Sequence, residues 1–233
     1  MNSSLKKKSN SCRLLVLLLL LIVLSVSNTA HAAPKEFPTP SWLNSVQVSE
    51  KMIINGIPSL VQHFEAYNTI DELLDFYRKQ WENNTGYREA EVAPWFVISR
   101  LDGPYLYTVQ VQQEGAFSIR GYLAIADLKA MKKTLKNDNV VPKMSGSKII
   151  NDVTSFDPGK KGRTLMLANK YSVASNSNFY RNYYLERGWA TLMDSNSEEA
   201  FILVFKKQNE EAHLVINNIQ GSTQIVMNII EGI

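Results

Sequence analysis

Side chains that could carry chemistry are scarce beyond the first 32 residues of this chain. Two histidines, His63 and His213, remain there, and the single cysteine, Cys12, lies within the first segment. A structural zinc site of the usual cysteine and histidine type therefore cannot be built from the rest of the chain. The sequence contains no Gly-x-Ser-x-Gly turn, no His-Glu-x-x-His helix and no glycine-rich phosphate loop. We predict no catalytic, cofactor-binding or metal-binding residues.

One segment combines an aromatic residue with several cations, and it is our candidate contact for a partner. Phe156 is followed by Lys160, Lys161 and Arg163, across a turn-forming Asp-Pro-Gly. We expect a hairpin loop here that is longer than its counterpart in the first half of the chain. Such a loop would present an apolar anchor beside a charged rim, a common composition for a protein-binding hot spot. Contact with an anionic surface and a plain solvated turn are the alternatives.

The first 32 residues have the pattern of a secretory signal peptide. Three lysines, Lys6–Lys8, precede an unbroken apolar run, Leu14–Leu24, and Ala30-His31-Ala32 forms a small-x-small cleavage motif before Ala33. The apolar run is shorter than the roughly 20 residues that a bilayer span needs, so we expect no stable membrane span after cleavage. An uncleaved anchor is the alternative. The pattern predicts a periplasmic or secreted bacterial protein.

Loss of this segment changes the net charge from +3 to −1. The segment holds four of the 25 Lys and Arg residues and none of the 22 Asp and Glu residues, which leaves 21 basic against 22 acidic residues. A net basic footprint, which is typical of nucleic-acid binding, is therefore lacking, and we expect no nucleic-acid partner. A mature chain without cysteine can also fold in an oxidising compartment without forming disulfides.

Two stretches about a hundred residues apart share one pattern. Phe76-Tyr77-Arg78 is followed by Trp81, and Phe179-Tyr180-Arg181 is followed by Tyr184, in each case four residues after the tyrosine. A Gly-aromatic pair follows in both copies and should end a helix and start a strand. Self-similarity at a fixed spacing is the sequence signature of a duplicated module.

The elements around these two stretches repeat as well. A capping box that starts at Thr69 predicts a first helix from near Ile70, and a second helix is expected near Asn178–Glu186. Strand patterns follow each helix. They cover Trp95–Ser99, Tyr105–Gln112 and Phe117–Ile125 after the first helix, and Phe201–Phe205, His213–Ile216 and Gln224–Ile230 after the second.

We therefore predict an α+β fold of two tandem repeats, each with an opening β-hairpin, one α-helix and a three-stranded antiparallel meander. Trp42 is expected to pin the arm that precedes the first repeat. The predicted organisation is a signal peptide at 1–32, a Pro-rich extended arm at 33–45, the first repeat at 46–127, a helical connector and linker at 128–146, and the second repeat at 147–233.

The repeated order of strand, Phe-Tyr-bearing helix, Gly-aromatic break and three strands resembles the paired βαβββ modules of the glyoxalase and bleomycin-resistance superfamily. The resemblance covers most of the mature chain. For members with a metal it implies a histidine on a first strand and a glutamate on a last strand. His63 and Glu231 hold such places, but their counterparts in the other copy are Met166 and Ile125. At most half of a paired site is present, so we carry over neither a metal nor an activity.

These observations lead to two functional hypotheses of different class. The first is an exported, soluble, non-enzymatic envelope protein that acts as a protein-interaction or accessory assembly module, with another envelope protein as its partner. It depends on the signal peptide, the duplication and the lack of a recognisable catalytic motif. The alternative is a small-ligand binder or a divergent metal-dependent enzyme with a site between the two repeats.

Overall fold

The structure is a computed structural model that describes residues 34–130, 141–197 and 200–232. The predicted signal peptide and residues 131–140 of the predicted helical connector lie outside the described residues. Glu36–Ile233 forms one compact unit. Neither helix in the described ranges has the length and apolar content needed to cross a membrane.

The described residues form thirteen strands and two helices. The first half contains β1 (Ser45–Gln47), β2 (Lys51–Ile54), β3 (Ile57–Ala66), α1 (Ile70–Trp81), β4 (Arg88–Val92), β5 (Trp95–Asp102), β6 (Tyr105–Gly115) and β7 (Ser118–Asp127). The second half contains β8 (Lys148–Asp157), β9 (Lys160–Asn169), α2 (Val173–Leu185), β10 (Ala190–Asn196), β11 (Phe201–Lys207), β12 (Glu210–Ile219) and β13 (Ser222–Gly232). In both halves a hairpin is followed by a helix and four strands.

The predicted α+β class of two repeats with three-stranded meanders is wrong. The described residues are mostly antiparallel β, with 57% strand and 13% helix among them, and all thirteen of these strands join one sheet. The sheet order is β10-β11-β12-β13-β9-β8-β2-β3-β7-β6-β5-β4, and β1 pairs with β3. The prediction missed β4 and β10, because every residue of both strands is exposed and neither strand shows the alternation of a half-buried strand.

The sheet is continuous because β2 of the first half pairs with β8 of the second half. Four residue pairs form this seam, beginning with Lys51 opposite Phe156. Asn55 extends the seam beyond the strand. Its backbone N–H donates to the carbonyl of Asp152 at 2.8 Å, and its side-chain oxygen accepts from the N–H of Asp152 at 2.9 Å. The strands follow one another in the same order on either side of the seam.

Both helices pack on the same face of the sheet. Residues directly opposite one another in an antiparallel pair point to the same side, as do residues two apart along a strand. Strand by strand, the pairing places Phe64 of β3, Ile53 of β2, Thr154 of β8 and Leu165 of β9 on one side of the sheet. Phe64 belongs to the buried cluster with α1, and Leu165 to the cluster with α2. We call this side the helix face and the opposite side the helix-free face.

The sequence predicts the start of α1 correctly but not the start of α2. The predicted start at Ile70 is confirmed, and the Thr69 hydroxyl accepts a hydrogen bond from the N–H of Glu72 at 3.3 Å. The second helix begins at Val173, earlier than predicted, because Ser172 caps it with its own hydroxyl. Polar Ser and Asn residues in its first turns hide this start from a reading of apolar periodicity.

The segment before β1 is held by Phe37 and not, as predicted, by Trp42. Phe37 is buried, and its ring centre lies 6.0 Å from the ring centres of Tyr77 and Trp81. Trp42 lies in a turn and is exposed. Phe37 is buried in the aromatic cluster under α1, and this burial fixes the arm.

Candidate functional site

The four residues predicted as a partner contact lie at the edge of the seam. Only two residues separate β8 from β9, so the expectation of a longer, projecting loop is wrong. Phe156 ends the pairing of β8 with β2, while Lys160, Lys161 and Arg163 lie on β9. The prediction failed because the same turn-forming and charged residues occur in long loops and in tight turns between paired strands.

Two of these cations are engaged within the chain. Lys161 forms an ion pair with Glu231 at 2.7 Å, which occupies the glutamate that the family resemblance places on the last strand. Arg163 donates two hydrogen bonds to the carboxylate of Asp152, at 3.0 and 2.7 Å. Their charges are therefore neutralised locally, so this segment has less charge to offer a partner than its sequence suggests.

The other two residues of the predicted contact, Phe156 and Lys160, differ in their surroundings. The ammonium of Lys51 lies 5.4 Å from the ring centre of Phe156, so this ring is half-buried beneath a cation. Lys160 is exposed and makes no ion pair with any residue the structure describes. The partner contact at these residues remains a prediction, and the alternative ligand site between the repeats would fall on this same seam.

The two histidines lie far apart in the sheet, His63 on β3 and His213 on β12. The ring centre of His63 lies 5.3 Å from that of Tyr122, and Nε2 of His213 lies 3.1 Å from a carboxylate oxygen of Glu211. Hydrogen bonds from Lys206 and then from His213 lower the pKa of the Glu211 carboxyl. Over the described ranges, no three His, Cys, Asp or Glu side chains are grouped so that they could hold a metal ion.

The repeated Tyr-Arg pair has a structural function in both halves. Arg78 donates two hydrogen bonds to Glu89 of β4, at 2.8 and 2.9 Å, and Arg181 donates two to Asp194 of β10, at 2.6 and 3.0 Å. Each guanidinium lowers the pKa of its carboxyl partner by hydrogen bonding to the charged form. Each helix thereby holds the outermost strand of its half.

The tyrosines of the same motif belong to the core. Tyr77 and Tyr180 are fully buried, and burial raises the pKa of both hydroxyls. Neither hydroxyl has a hydrogen-bond partner among the described residues. Tyr77 and Tyr180 therefore pack in the core between each helix and the sheet.

The two outermost strands of the sheet differ in length and charge. β4 has five residues, of which three are charged, whereas β10 has seven residues and one charge, Asp194. Leu192 and Met193 of β10 are 57% and 48% exposed. Charged side chains on an edge strand oppose pairing with another chain, and β10 has only the Asp194 carboxylate, which is already held by α2. A bulge bends its start, but the rest of β10 pairs regularly with β11.

An aliphatic row crosses the helix-free face next to β10. Ile202 of β11, Val215 of β12, Val226 of β13 and Met166 of β9 lie directly opposite one another in successive strand pairs. Val215 and Val226 are 40% and 37% exposed. Ser195 of β10 lies opposite Ile202, so the row ends at the edge of the sheet. We call these four residues the aliphatic row.

The corresponding strands of the first half carry a more polar row. Val97 of β5, Gln110 of β6, Tyr122 of β7 and His63 of β3 lie opposite one another there. The ring of Trp95 lies 6.0 Å from that of Tyr122 and covers part of this surface. The two halves thus present different chemistry on the same face of one sheet.

A sequence signal for the aliphatic row exists, although the predictions did not use it. Phe201–Phe205 is apolar at five consecutive positions, so this strand is apolar on both faces. In an antiparallel sheet with one solvated face, apolar and polar residues alternate. An uninterrupted apolar strand therefore indicates a second apolar surface.

The chain matches no family model, no curated protein and no solved structure. The resemblance to the glyoxalase and bleomycin-resistance superfamily gains no support from these comparisons. The function must therefore be inferred from the surfaces themselves.

Proposed function

We propose that this chain is an exported, non-enzymatic protein-interaction module that holds an extended segment of another envelope protein against β10. One observation carries the proposal: β10 is an exposed outermost strand with a single charge, and it adjoins the aliphatic row. Export is supported by the signal-peptide pattern of residues 1–32. The non-enzymatic role is supported by the lack of a catalytic motif in the sequence.

Strand addition is the binding mode that suits such an edge. The N–H and C=O groups of β10 that point away from β11 can pair with the backbone of an added strand. Alternate side chains of that strand would fall on the helix-free face beside Met193 and Ser195. Apolar side chains there would extend the aliphatic row by one strand and bury its exposed end. The expected partner segment is therefore short, extended and apolar at alternate positions.

The opposite edge is a poorer template for the same interaction. An added strand on β4 would have to desolvate several charged side chains, which costs free energy unless each finds a new partner. Glu89 is already bound by Arg78, so it cannot serve a partner's cation without losing that pair. We expect the partner to distinguish the two edges by these charges.

Crosslinking in intact cells tests which edge is occupied. A photoreactive residue is placed at Met193, and in a matched protein at Ala90, which lies on the helix-free face of β4. We expect one partner to crosslink from residue 193 and not from residue 90. The partner is then purified, and its affinity is measured for Met193→Lys/Ser195→Lys and for the control Ala90→Lys. Lysines on an edge strand oppose pairing with another chain, so the first variant should lose at least about tenfold in affinity and the control, on the other edge, none.

Three outcomes would overturn the proposal. Equal crosslinking from both edges would show that β10 is not selected. Equal affinity of the double lysine variant and the unsubstituted protein would show that the partner binds elsewhere. A crosslink between two copies of this chain would assign the edge to self-association.

The export part of the proposal has a separate test. We expect the exported protein to begin at Ala33 and to be recovered in the soluble envelope fraction, which intact mass measurement and fractionation will show. A mass that retains residues 1–32, or recovery with membranes alone, would contradict it.

A further inference from the structure

A surface pocket opens where β8 begins and where β9 ends. Its volume is about 400 Å³, and its wall includes Lys148, Lys170, Tyr171 and the serines Ser145 and Ser222. None of the described residues that line it is an aspartate or glutamate. Most of the surface of its wall is apolar, so the pocket combines cations with a hydrophobic surface, which is the usual composition of a small-molecule site.

Neither lysine of the pocket has a carboxylate partner among the described residues. Arginines such as Arg163 and Arg181 are, in contrast, paired with carboxylates. Lys148 lies directly opposite Ala168, and Lys170 follows two residues later along the chain. Two cations thus flank one concave surface, and within the part of the chain that the structure describes no anion neutralises them.

A buried amide network fixes the wall that carries these groups. The side chains of Asn169 and Asn176 donate to one another's oxygens, at 2.8 and 3.0 Å, and Asn169 also donates to the Ser147 hydroxyl at 3.0 Å. The backbone N–H of Tyr171 donates to the Asn169 side chain at 3.1 Å, and its carbonyl accepts from the Thr223 hydroxyl at 2.6 Å. A satisfied buried network of this kind holds a site in one geometry.

The first half of the chain folds without this network. Asn169 is the last residue of β9, and its counterpart at the end of β3 is Ala66. Asn176 lies four residues after the cap of α2, and its counterpart four residues after the cap of α1 is Leu73. The amide pair is therefore not required by this arrangement of hairpin and helix, and a role in shaping the pocket explains its place.

We propose that this pocket binds a small organic acid, with its carboxylate between Lys148 and Lys170. The Ser145 hydroxyl is available as a further hydrogen-bond donor to the carboxylate, and the body of the acid would lie against Ala168 and the Tyr171 ring. Hydrogen bonds between ammonium and carboxylate groups are the stronger, charge-assisted kind, so the anion provides the affinity and the apolar wall provides the fit. This site is separate from the partner surface at β10, and the two proposals do not depend on one another.

Amide NMR of the mature chain tests the proposal with benzoate, neutral benzamide and inorganic phosphate as probes. We expect benzoate to shift the amides of residues 145–148, 168–171 and 222 saturably, and benzamide to leave them unchanged. Loss of two charge-assisted contacts in Lys148→Gln/Lys170→Gln should weaken benzoate at least about tenfold. The control is Lys79→Gln/Lys129→Gln, which removes two other exposed lysines and should bind benzoate as the unsubstituted protein does.

The same titrations can overturn the proposal. Equal responses to benzoate and benzamide would show that charge does not matter. Unchanged benzoate binding in the Lys148→Gln/Lys170→Gln variant would show that the acid does not bind at this pocket. Shifts spread over lysines throughout the chain would show the same. A response to phosphate without a response to benzoate would exclude an organic acid as the ligand.

Discussion

On either side of the β2–β8 seam, the two halves of the sheet share the contacts that hold their edges and differ at the surfaces that other molecules can reach. In each half an arginine of the helix binds a carboxylate on the outermost strand, and the tyrosine before it is buried beneath the helix. β4 is charged, whereas β10 carries one charge and exposed apolar side chains. The two residues at the strand end and the helix start are apolar in the first half, Ala66 and Leu73, and asparagines in the second, Asn169 and Asn176.

The comparison separates what this arrangement of strands needs from what it can vary. The arginine–carboxylate pairs and buried tyrosines occur in both halves, so we attribute them to folding. The aliphatic row, the edge strand with a single charge and the asparagine pair occur in the second half, so the first half shows that the arrangement forms without them. That asymmetry is the reason for placing both proposed binding surfaces in the second half.

The largest expected effect comes from breaking the asparagine pair. Asn176→Leu, which introduces the first half's residue, removes both hydrogen bonds between the two amides and leaves the buried Asn169 without its main partner. We expect a loss of about 2–3 kcal/mol in the free energy of unfolding, measured by urea denaturation.

Replacing both residues should recover part of that loss. Asn169→Ala/Asn176→Leu gives the second half the first half's residues, Ala66 and Leu73, and leaves no unpaired amide. We expect the double variant to be more stable than Asn176→Leu alone. If the double variant is the less stable of the two, the buried pair is not replaceable as a unit, and the equivalence of the two halves at this point is wrong.

A smaller effect is expected at the arginine clamps. Arg181→Ala and Arg78→Ala should each lower the free energy of unfolding by no more than about 1 kcal/mol near neutral pH, because these pairs are partly exposed and screened by solvent. Similar losses in the two halves would support a shared structural function. A large loss in one half alone would break the comparison.

The clamps also predict a pH dependence. The folded-state pKa values of Glu89 and Asp194 lie below their unfolded values, so their contribution is complete above the ordinary carboxyl pKa of about 4 and is lost as the pH falls through the lowered values. The stability difference between the unsubstituted protein and Arg78→Ala/Arg181→Ala should therefore shrink on acidification below about pH 4. Urea unfolding at pH 6 and at pH 3 measures it, and an unchanged difference would rule out the ion pairs as its source.

The smallest effect is expected at the buried tyrosine hydroxyls. Tyr77→Phe and Tyr180→Phe each remove a buried hydroxyl that has no partner among the described residues. Each should therefore leave the free energy of unfolding unchanged or raise it by at most about 1 kcal/mol, which the thermal midpoint will show. Tyr67→Phe, at a position 85% exposed, is the control. A clear loss of stability at either buried site would mean that its hydroxyl is hydrogen-bonded in solution.

The sequence predicts local elements better than it predicts the sheet. The start of α1 was predictable because Thr69 and Glu72 lie within one turn and the apolar spacing is regular. The pairing of Lys51 with Phe156 was not, because two strands a hundred residues apart carry no local mark of their register. The α+β prediction failed for the same reason: two hairpins that join at a seam make one sheet.

The candidate surfaces could not be predicted from the sequence, for related reasons. β10 is exposed on both faces, so no alternation marks it as a strand. The members of the aliphatic row are interleaved with core residues, so Ile202 resembles part of a buried strand until the position of α2 is known. Asn169 and Asn176 are both polar, and a pattern analysis places polar residues at the surface, whereas mutual hydrogen bonding allows them to be buried.

Amide hydrogen exchange with the purified crosslinked partner tests most directly the claim that the second half carries the partner-binding edge. An added strand would pair with the free backbone groups of β10, so we expect exchange across residues 190–196 to slow when the partner binds, while exchange across residues 88–92 of β4 stays the same. Slowing at both edges alike, or at neither, would contradict the claim.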